Sequence, residues 1–161
     1  VFNNVGEIKK IVDLGCGFGY TTAGLRQIYP EATVTGTNLD NTVQMKLAKQ
    51  TAAYYGFDMV SSIRDIESPV DLLVGWEYFE HIVGTIHHVK EIIARLNPRI
   101  LMLANTFTAK SIGHFDYYNI DGYAISGKKT AKLFNAELKK SGYKQMQTNF
   151  WNNRPNVWVK K

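Results

Sequence analysis

A short apolar run, Lys10 to Leu14, ends abruptly at three alternating glycines, Gly15, Gly17 and Gly19, and helical spacing begins directly after them. The missing side chains permit a sharp turn and let a ligand approach the main chain. The following helix presents its free N–H groups at the same place. A buried strand, a tight glycine turn and a helix in immediate succession form the opening unit of an open α/β sheet, and this unit constrains the fold more than any other feature.

The rest of the chain continues the alternation. The spacing predicts a helix over Thr21 to Tyr29, stopped by Pro30, then a strand over Ala32 to Thr37. A helix from Asn41 to Tyr55 ends at Gly56, and strands follow at Phe57 to Ser61 and Val70 to Val74. From Val83 to Leu96 the residues Ile86, Val89, Ile92, Ile93 and Leu96 form one stripe of an amphipathic helix. Arg99 to Ala104 reads as a central strand and Phe107 to Gly127 as a long Gly/Asp/Tyr-rich loop carrying Tyr117, Tyr118 and Tyr123. Lys128 to Ser141 is the last helix, and Lys144 to Phe150 and Asn156 to Lys160 form an antiparallel pair. The expected fold is therefore α/β, a doubly wound, Rossmann-like, mostly parallel sheet with an antiparallel C-terminal strand, in one domain spanning 1–161. Ligands of such sheets bind beyond the carboxyl ends of the strands, at the switch point beside the first strand, where the glycine loop lies.

The loop departs from the dinucleotide pattern G-x-G-x-x-G in two ways. Its third glycine comes one residue early, and Asp13 stands two residues before the first. A carboxylate there suits a ligand with an ammonium group better than a pyrophosphate. The stretch Ile11-Val12-Asp13-Leu14-Gly15-Cys16-Gly17-Phe18-Gly19 resembles the first motif of class I S-adenosylmethionine-dependent methyltransferases. That resemblance implies S-adenosylmethionine as cofactor, with Asp13 near its methionine moiety and Gly15, Cys16, Gly17 and Phe18 around it. The family places an acid at the end of the second strand to hold the ribose hydroxyls. Here that place holds Asn38, followed by Leu39, and an amide pairs without a charge-assisted bond. Asp40 either substitutes or caps the next helix. Asp65 and Ile66 resemble the pair that meets the adenine, with an exposed loop acid as the competing reading, and Trp76 completes the set expected near the cofactor.

The stretch from Asp71 to Ile82 carries the candidate chemistry. Glu77, Glu80 and His81 are spaced so that one helical turn presents all three on one side. Two carboxylates and an imidazole suit a divalent cation such as Mg or Mn, and His114 is the candidate fourth ligand. Glu-x-x-Glu-His followed by this later histidine resembles the ubiquinone-biosynthesis O-methyltransferases and the small-RNA 3′-end 2′-O-methyltransferases, the second of which bind a metal through matching residues. The expectation is O-methylation of a small hydroxylated acceptor, either metal-assisted or with His81 alone as general base, and with Glu77 and Glu80 in the catalytic set. Without a metal, Glu80 and His81 simply pack and cap the following helix. Trp76 and Tyr78 flank the cluster, while His87 and His88 read as surface positions, His88 being able to share the face of His81.

Residues 110–161 hold ten Lys or Arg against three acids, whereas 1–109 hold nine against eleven. This basic C-terminal third either faces an anionic acceptor, which keeps a nucleic-acid methyltransferase as an alternative, or is a solvated helix face at Lys128, Lys129, Lys132, Lys139 and Lys140. A third reading is a cofactor-binding but inactive partner or sensor domain. No apolar run approaches the ~20 residues that cross a bilayer. Cys16 is the lone cysteine, so no internal disulfide can form and a cytoplasmic location is expected. The sequence opens on Val1, as expected of a chain whose native form has further N-terminal residues.

Overall fold

The computed structural model describes residues 6–161. Its elements follow the alternation. In chain order they are β1 (Lys10–Leu14), α1 (Tyr20–Ile28), β2 (Thr33–Thr37), α2 (Val43–Tyr55), β3 (Asp58–Val60), β4 (Leu72–Trp76), α3 (Thr85–Leu96), β5 (Ile100–Ala104), β6 (Tyr117–Ile120), β7 (Tyr123–Ser126), α4 (Gly127–Lys140), β8 (Tyr143–Met146) and β9 (Asn156–Lys160). Among the described residues one seven-stranded sheet runs in the order β3-β2-β1-β4-β5-β9-β8, and β6 and β7 form a separate hairpin. The pairs from β3 through β5 are parallel; β9 enters antiparallel between β5 and β8. This is the expected sheet, with its switch point between β1 and β4.

Period-two alternation divides the core between the two faces. Val12, Leu14, Leu73, Leu101 and Leu103 face α3 and α4 and pack with Ile86, Val89, Ile92, Phe134 and Leu138. Ile11, Leu72, Val74, Ile100 and Met102 face the other side and pack with Ala23 of α1 and Ala52 of α2. Trp158 of β9 is fully buried in the first layer.

Two expectations are corrected. The stretch read as a loop contains the β6–β7 hairpin, whose turn is Asp121-Gly122, both at positive φ (51 and 85). Asp-Gly between aromatic runs favours this turn because both central residues tolerate the left-handed region. The strand expected to reach Phe150 stops at Met146. Beyond it the Thr148 amide and hydroxyl both donate to Asn153 Oδ1, at 2.8 and 2.6 Å, and turn the chain before β9.

Candidate active site

The glycine loop is laced to the end of β2. Gly15 N donates to Thr37 Oγ1 at 3.1 Å, Cys16 N to Thr37 O at 3.0 Å and Gly17 N to Asn38 Oδ1 at 3.2 Å. Gly19 N then donates to Cys16 O at 2.9 Å. Gly15 has no substitute here: its φ is 59, and a Cβ on it would lie 2.5 Å from the Tyr78 ring. Since these amides already have partners, the loop is not a phosphate cradle of the kind built from free N–H groups.

Asp13 lies beneath the loop, 1% exposed, and its Oδ2 accepts from Thr22 Oγ1 at 2.7 Å. Burial pushes its carboxyl up to about 7, against the lowering effect of the Thr22 bond. Cys16 is half-buried with Sγ 3.7 Å from Met59 Sδ, and burial, aided by the Asp13 carboxylate, pushes its thiol up to about 11.

Across from the loop, β4 ends in a sharp reversal. Glu77 has φ 48, a left-handed conformation uncommon for such a residue, and its N donates to Ala104 O at 2.7 Å. A single 3₁₀ turn, Phe79–His81, follows. The three expected ligands therefore do not share one helical face. Glu77 is exposed, Glu80 points into the core and His81 faces outward. The segment after β5 fixes this turn: Phe79 N donates to Asn105 Oδ1 at 3.3 Å and Thr106 N to Glu80 Oε1 at 2.7 Å. Tyr118 of the hairpin adds a bond from its hydroxyl to Glu80 O at 3.0 Å.

Glu80 is fully buried, and its Oε2 has no hydrogen-bond partner among the described residues. Burial raises its pKa, and the neighbouring Glu77 carboxylate adds to the rise. Glu77, Glu80 and His114 each bring a ligand atom within 4.8 Å of the others. His81 stands beside this group rather than in it, its ring centroid 4.8 Å from that of His114. The reason is its docking: His81 Nδ1 lies 3.0 Å from Gly113 O, and Gly113 (φ 81) approaches so closely that a Cβ would sit 2.9 Å from that nitrogen. His114 Nδ1 likewise lies 3.0 Å from Ala109 O. A carbonyl only accepts, so in each ring Nδ1 carries a proton and Nε2 is the nitrogen left to act as ligand or base.

Two further residues join the site, Arg154, which no sequence pattern pointed to, and His88, expected at the surface or on the face of His81. Arg154, from the turn before β9, reaches Glu77 Oε1 and Thr106 Oγ1. His88, read as a surface residue, is half-buried, and its Nε2 lies 2.9 Å from the Tyr78 hydroxyl. Burial lowers the pKa of His88 and pushes the Tyr78 phenol up to about 12.

A cleft of about 740 Å³ joins the two halves. Gly15, Gly17, Asn38 and Leu39 line one lip and Glu77, Tyr78, His81 and His88 the other. Several expected cofactor residues lie elsewhere. Asp13 is buried under the loop, Cys16 turns toward Met59, and Phe18 stacks edge-on with Tyr20, their centroids 6.5 Å apart. Trp76 belongs to β4, where alternation directs it into the α1 and α2 layer. Ile66 packs in the opposite core layer, and Ile63, three residues earlier, takes the place on the cleft. Asp65 and Asp40 line a smaller adjoining hollow of about 360 Å³. Asn38 turns its amide onto the loop: besides accepting from Gly17 N, its Nδ2 donates to Gly17 O at 2.7 Å.

No family model matches the chain, and no curated protein matches it in sequence. Solved structures do match. An O-methyltransferase from a trans-AT polyketide synthase multienzyme of Brevibacillus brevis, in complex with S-adenosyl-L-homocysteine, is 23% identical with a TM-score of 0.54, over 64% of this chain and 37% of that one. The StiE O-methyltransferase is 18% identical, TM-score 0.64, over 90% of this chain and 49% of that one. An O-methyltransferase family protein from Burkholderia thailandensis is 11% identical, TM-score 0.64, over 96% and 51%. The chain thus spans about half or less of the length of these proteins. With the sheet order and the glycine loop, these likenesses define the fold as that of class I S-adenosylmethionine-dependent methyltransferases.

Proposed function

We propose that this chain binds S-adenosylmethionine and transfers its methyl group to an oxygen of a small hydroxylated acceptor, with a divalent cation assisting. One observation carries the reading: a single cleft has the glycine loop on one lip and Glu77 and His81 on the other. The loop's amides are already bonded to β2, which suits an uncharged or cationic ligand better than a pyrophosphate. The three structural neighbours described above are O-methyltransferases by name, and the Brevibacillus brevis protein holds the demethylated product of this cofactor.

In this reading the acceptor oxygen attacks the methyl carbon, the carbon–sulfur bond breaks toward sulfur, and the sulfonium becomes a neutral thioether. The enzyme's work is to position the acceptor and take its proton. His81 Nε2 is the free acceptor on the cleft for that proton. Glu77, Glu80 and His114 would hold the cation. The unpartnered buried oxygen of Glu80 is the observation that fits them to it, and a set of two carboxylates and an imidazole suits Mg or Mn. When bound, the cation would polarise the acceptor hydroxyl and lower its pKa. The lysines of α4 are exposed and do not line the cleft, so the acceptor proposed is a small molecule rather than a nucleic acid. No described helix is long and apolar enough to cross a membrane. The half-buried free thiol of Cys16 accords with a reducing compartment such as the cytoplasm.

Calorimetric titration with S-adenosylhomocysteine tests the cofactor. Saturable binding is expected, and none at millimolar ligand overturns the reading. Transfer of labelled methyl to a panel of phenols, catechols and aliphatic alcohols, with Mn or with a chelator, tests the chemistry. Activity indifferent to the chelator would remove the cation and leave His81 as the base.

A further inference from the structure

Gly15, Cys16 and Gly17 are three consecutive backbone donors, and all three bond to Thr37, the last residue of β2, or to Asn38, which follows it. The Asn38 side chain goes further. Its Oδ1 accepts from Gly17 N at 3.2 Å while its Nδ2 donates to Gly17 O at 2.7 Å, so one amide holds the peptides on both sides of Gly17. The main chain of Asn38 is itself anchored, its N donating to Val60 O at 3.3 Å. Nothing lies within 4 Å of the position a Cβ on Gly17 would take, so no side chain packs over that face of it. Gly17 and Asn38 both line the cleft.

Such a clamp needs one donor and one acceptor on the same side chain. A carboxylate of the same length has acceptors only. Aspartate at this position could keep the bond from Gly17 N, but its second oxygen would face the Gly17 carbonyl at the 2.7 Å now spanned by a hydrogen bond. The amide is thus matched to the loop, in a way its closest isostere is not.

We propose that Asn38 is the positioning residue of the cofactor loop: its amide fixes Gly17 in the conformation that meets the ligand, and the ligand is met by main chain rather than by a charge at this position. The ligand half of this statement rests on the S-adenosylmethionine reading; the clamp itself does not. If the side chain instead swings out to bond the ligand's hydroxyls directly, aspartate would serve as well as asparagine or better, because a carboxylate forms the stronger bond.

The test compares wild type, Asn38→Asp and Asn38→Ala by calorimetric titration with S-adenosylhomocysteine, by thermal melting, and by amide hydrogen exchange at Gly17 without ligand. Loss of the clamp is expected to weaken binding about tenfold in Asn38→Ala, and further in Asn38→Asp, where a repulsion replaces the bond. Gly17 exchange is expected to speed up in both variants. Affinity in Asn38→Asp equal to or tighter than wild type overturns the proposal, and so does a Gly17 amide that exchanges at the same rate in all three proteins. If Asn38→Asp does not fold, Asn38→Ala decides by the same two readouts. If wild type binds no S-adenosylhomocysteine, the cofactor reading fails on its own, and the exchange rates still decide the clamp.

Discussion

The two lips of the cleft are built from different materials. The glycine lip is one contiguous segment, its main-chain donors at Gly15, Cys16 and Gly17 bonded to Thr37 and Asn38 at the end of the next strand. The acidic lip, Glu77 with Tyr78, His81 and His88, is backed by side chains from four separate places: Glu80 after β4, Thr106 after β5, His114 before the hairpin and Arg154 before β9. A site made of main chain changes little with sequence outside its glycines and the two residues, Thr37 and Asn38, that hold it. A site made of converging charges depends on every segment that delivers one, and each can be altered without disturbing the sheet. The first arrangement suits a ligand common to a fold, the second an acceptor that differs from protein to protein.

The sharpest way to break the contrast is Gly15→Val. It adds strain at φ 59 and a collision with the Tyr78 ring. Affinity for S-adenosylhomocysteine is expected to fall by on the order of a hundredfold in calorimetry, since left-handed strain and overpacking each cost about 1–3 kcal/mol. Manganese binding on the other lip should change far less; equal losses at both would mean that the lips are one cooperative unit. Next come Glu77→Gln and His114→Ala, expected to weaken Mn binding, followed by paramagnetic resonance, by roughly ten- to a hundredfold. Cofactor affinity should stay within about twofold of wild type in both.

A smaller effect concerns Asp13, the one charge under the glycine lip. Its folded pKa of about 7 lies above the ordinary 3.8, so the folded state holds this proton more tightly than the unfolded chain. The stability this gives is fully present below pH 3.8, declines as pH rises through that window and is lost above about 7. Asp13→Asn cannot ionise. Its melting temperature relative to wild type should therefore be higher at pH 8 than at pH 4 by a few degrees, at roughly 2–4 °C per kcal/mol for a domain of this size. A difference that does not move with pH would show that Asp13 titrates normally. The smallest effect expected is from Arg154→Ala. It removes a guanidinium that competes with the cation for Glu77, and Mn binding should tighten by about two- to fivefold, the scale of a half-exposed ion pair. Weaker Mn binding would instead make Arg154 part of the site's scaffold.

The same contrast explains what the sequence revealed. The glycine lip was legible because strand, turn and helix follow one another without interruption. The acidic lip was legible only in part. Glu77, Glu80 and His114 were named, but His81 docks on Gly113 O and faces the cleft instead of joining them. Arg154 lies 77 residues from its partner, and no local pattern joins them. The sequence predicts a strand that ends at Val74, whereas β4 runs on to Trp76, and two more residues of alternation turn that side chain toward the α1 and α2 layer. The hairpin did have a signal, Asp121-Gly122 between Tyr117-Tyr118 and Tyr123, that the glycine- and tyrosine-rich composition hid. Asn38 was read for its chemistry toward a ligand, whereas its two bonds are with the loop.

The entry of β9 between β5 and β8 has a consequence for how the protein is made. On the ribosome, β5 emerges with its neighbour β4 already synthesised, but its other edge stays unpaired until Asn156 to Lys160 arrive. That edge is Ile100, Leu101, Met102 and Leu103, an apolar template of the kind that recruits other chains. The exposed interval lasts for the synthesis of the acidic lip's His114, the hairpin, α4 and Arg154. His114 and Arg154, which back the acidic lip, are thus translated while the sheet is still open, and the strand that seals it follows directly behind the last of them.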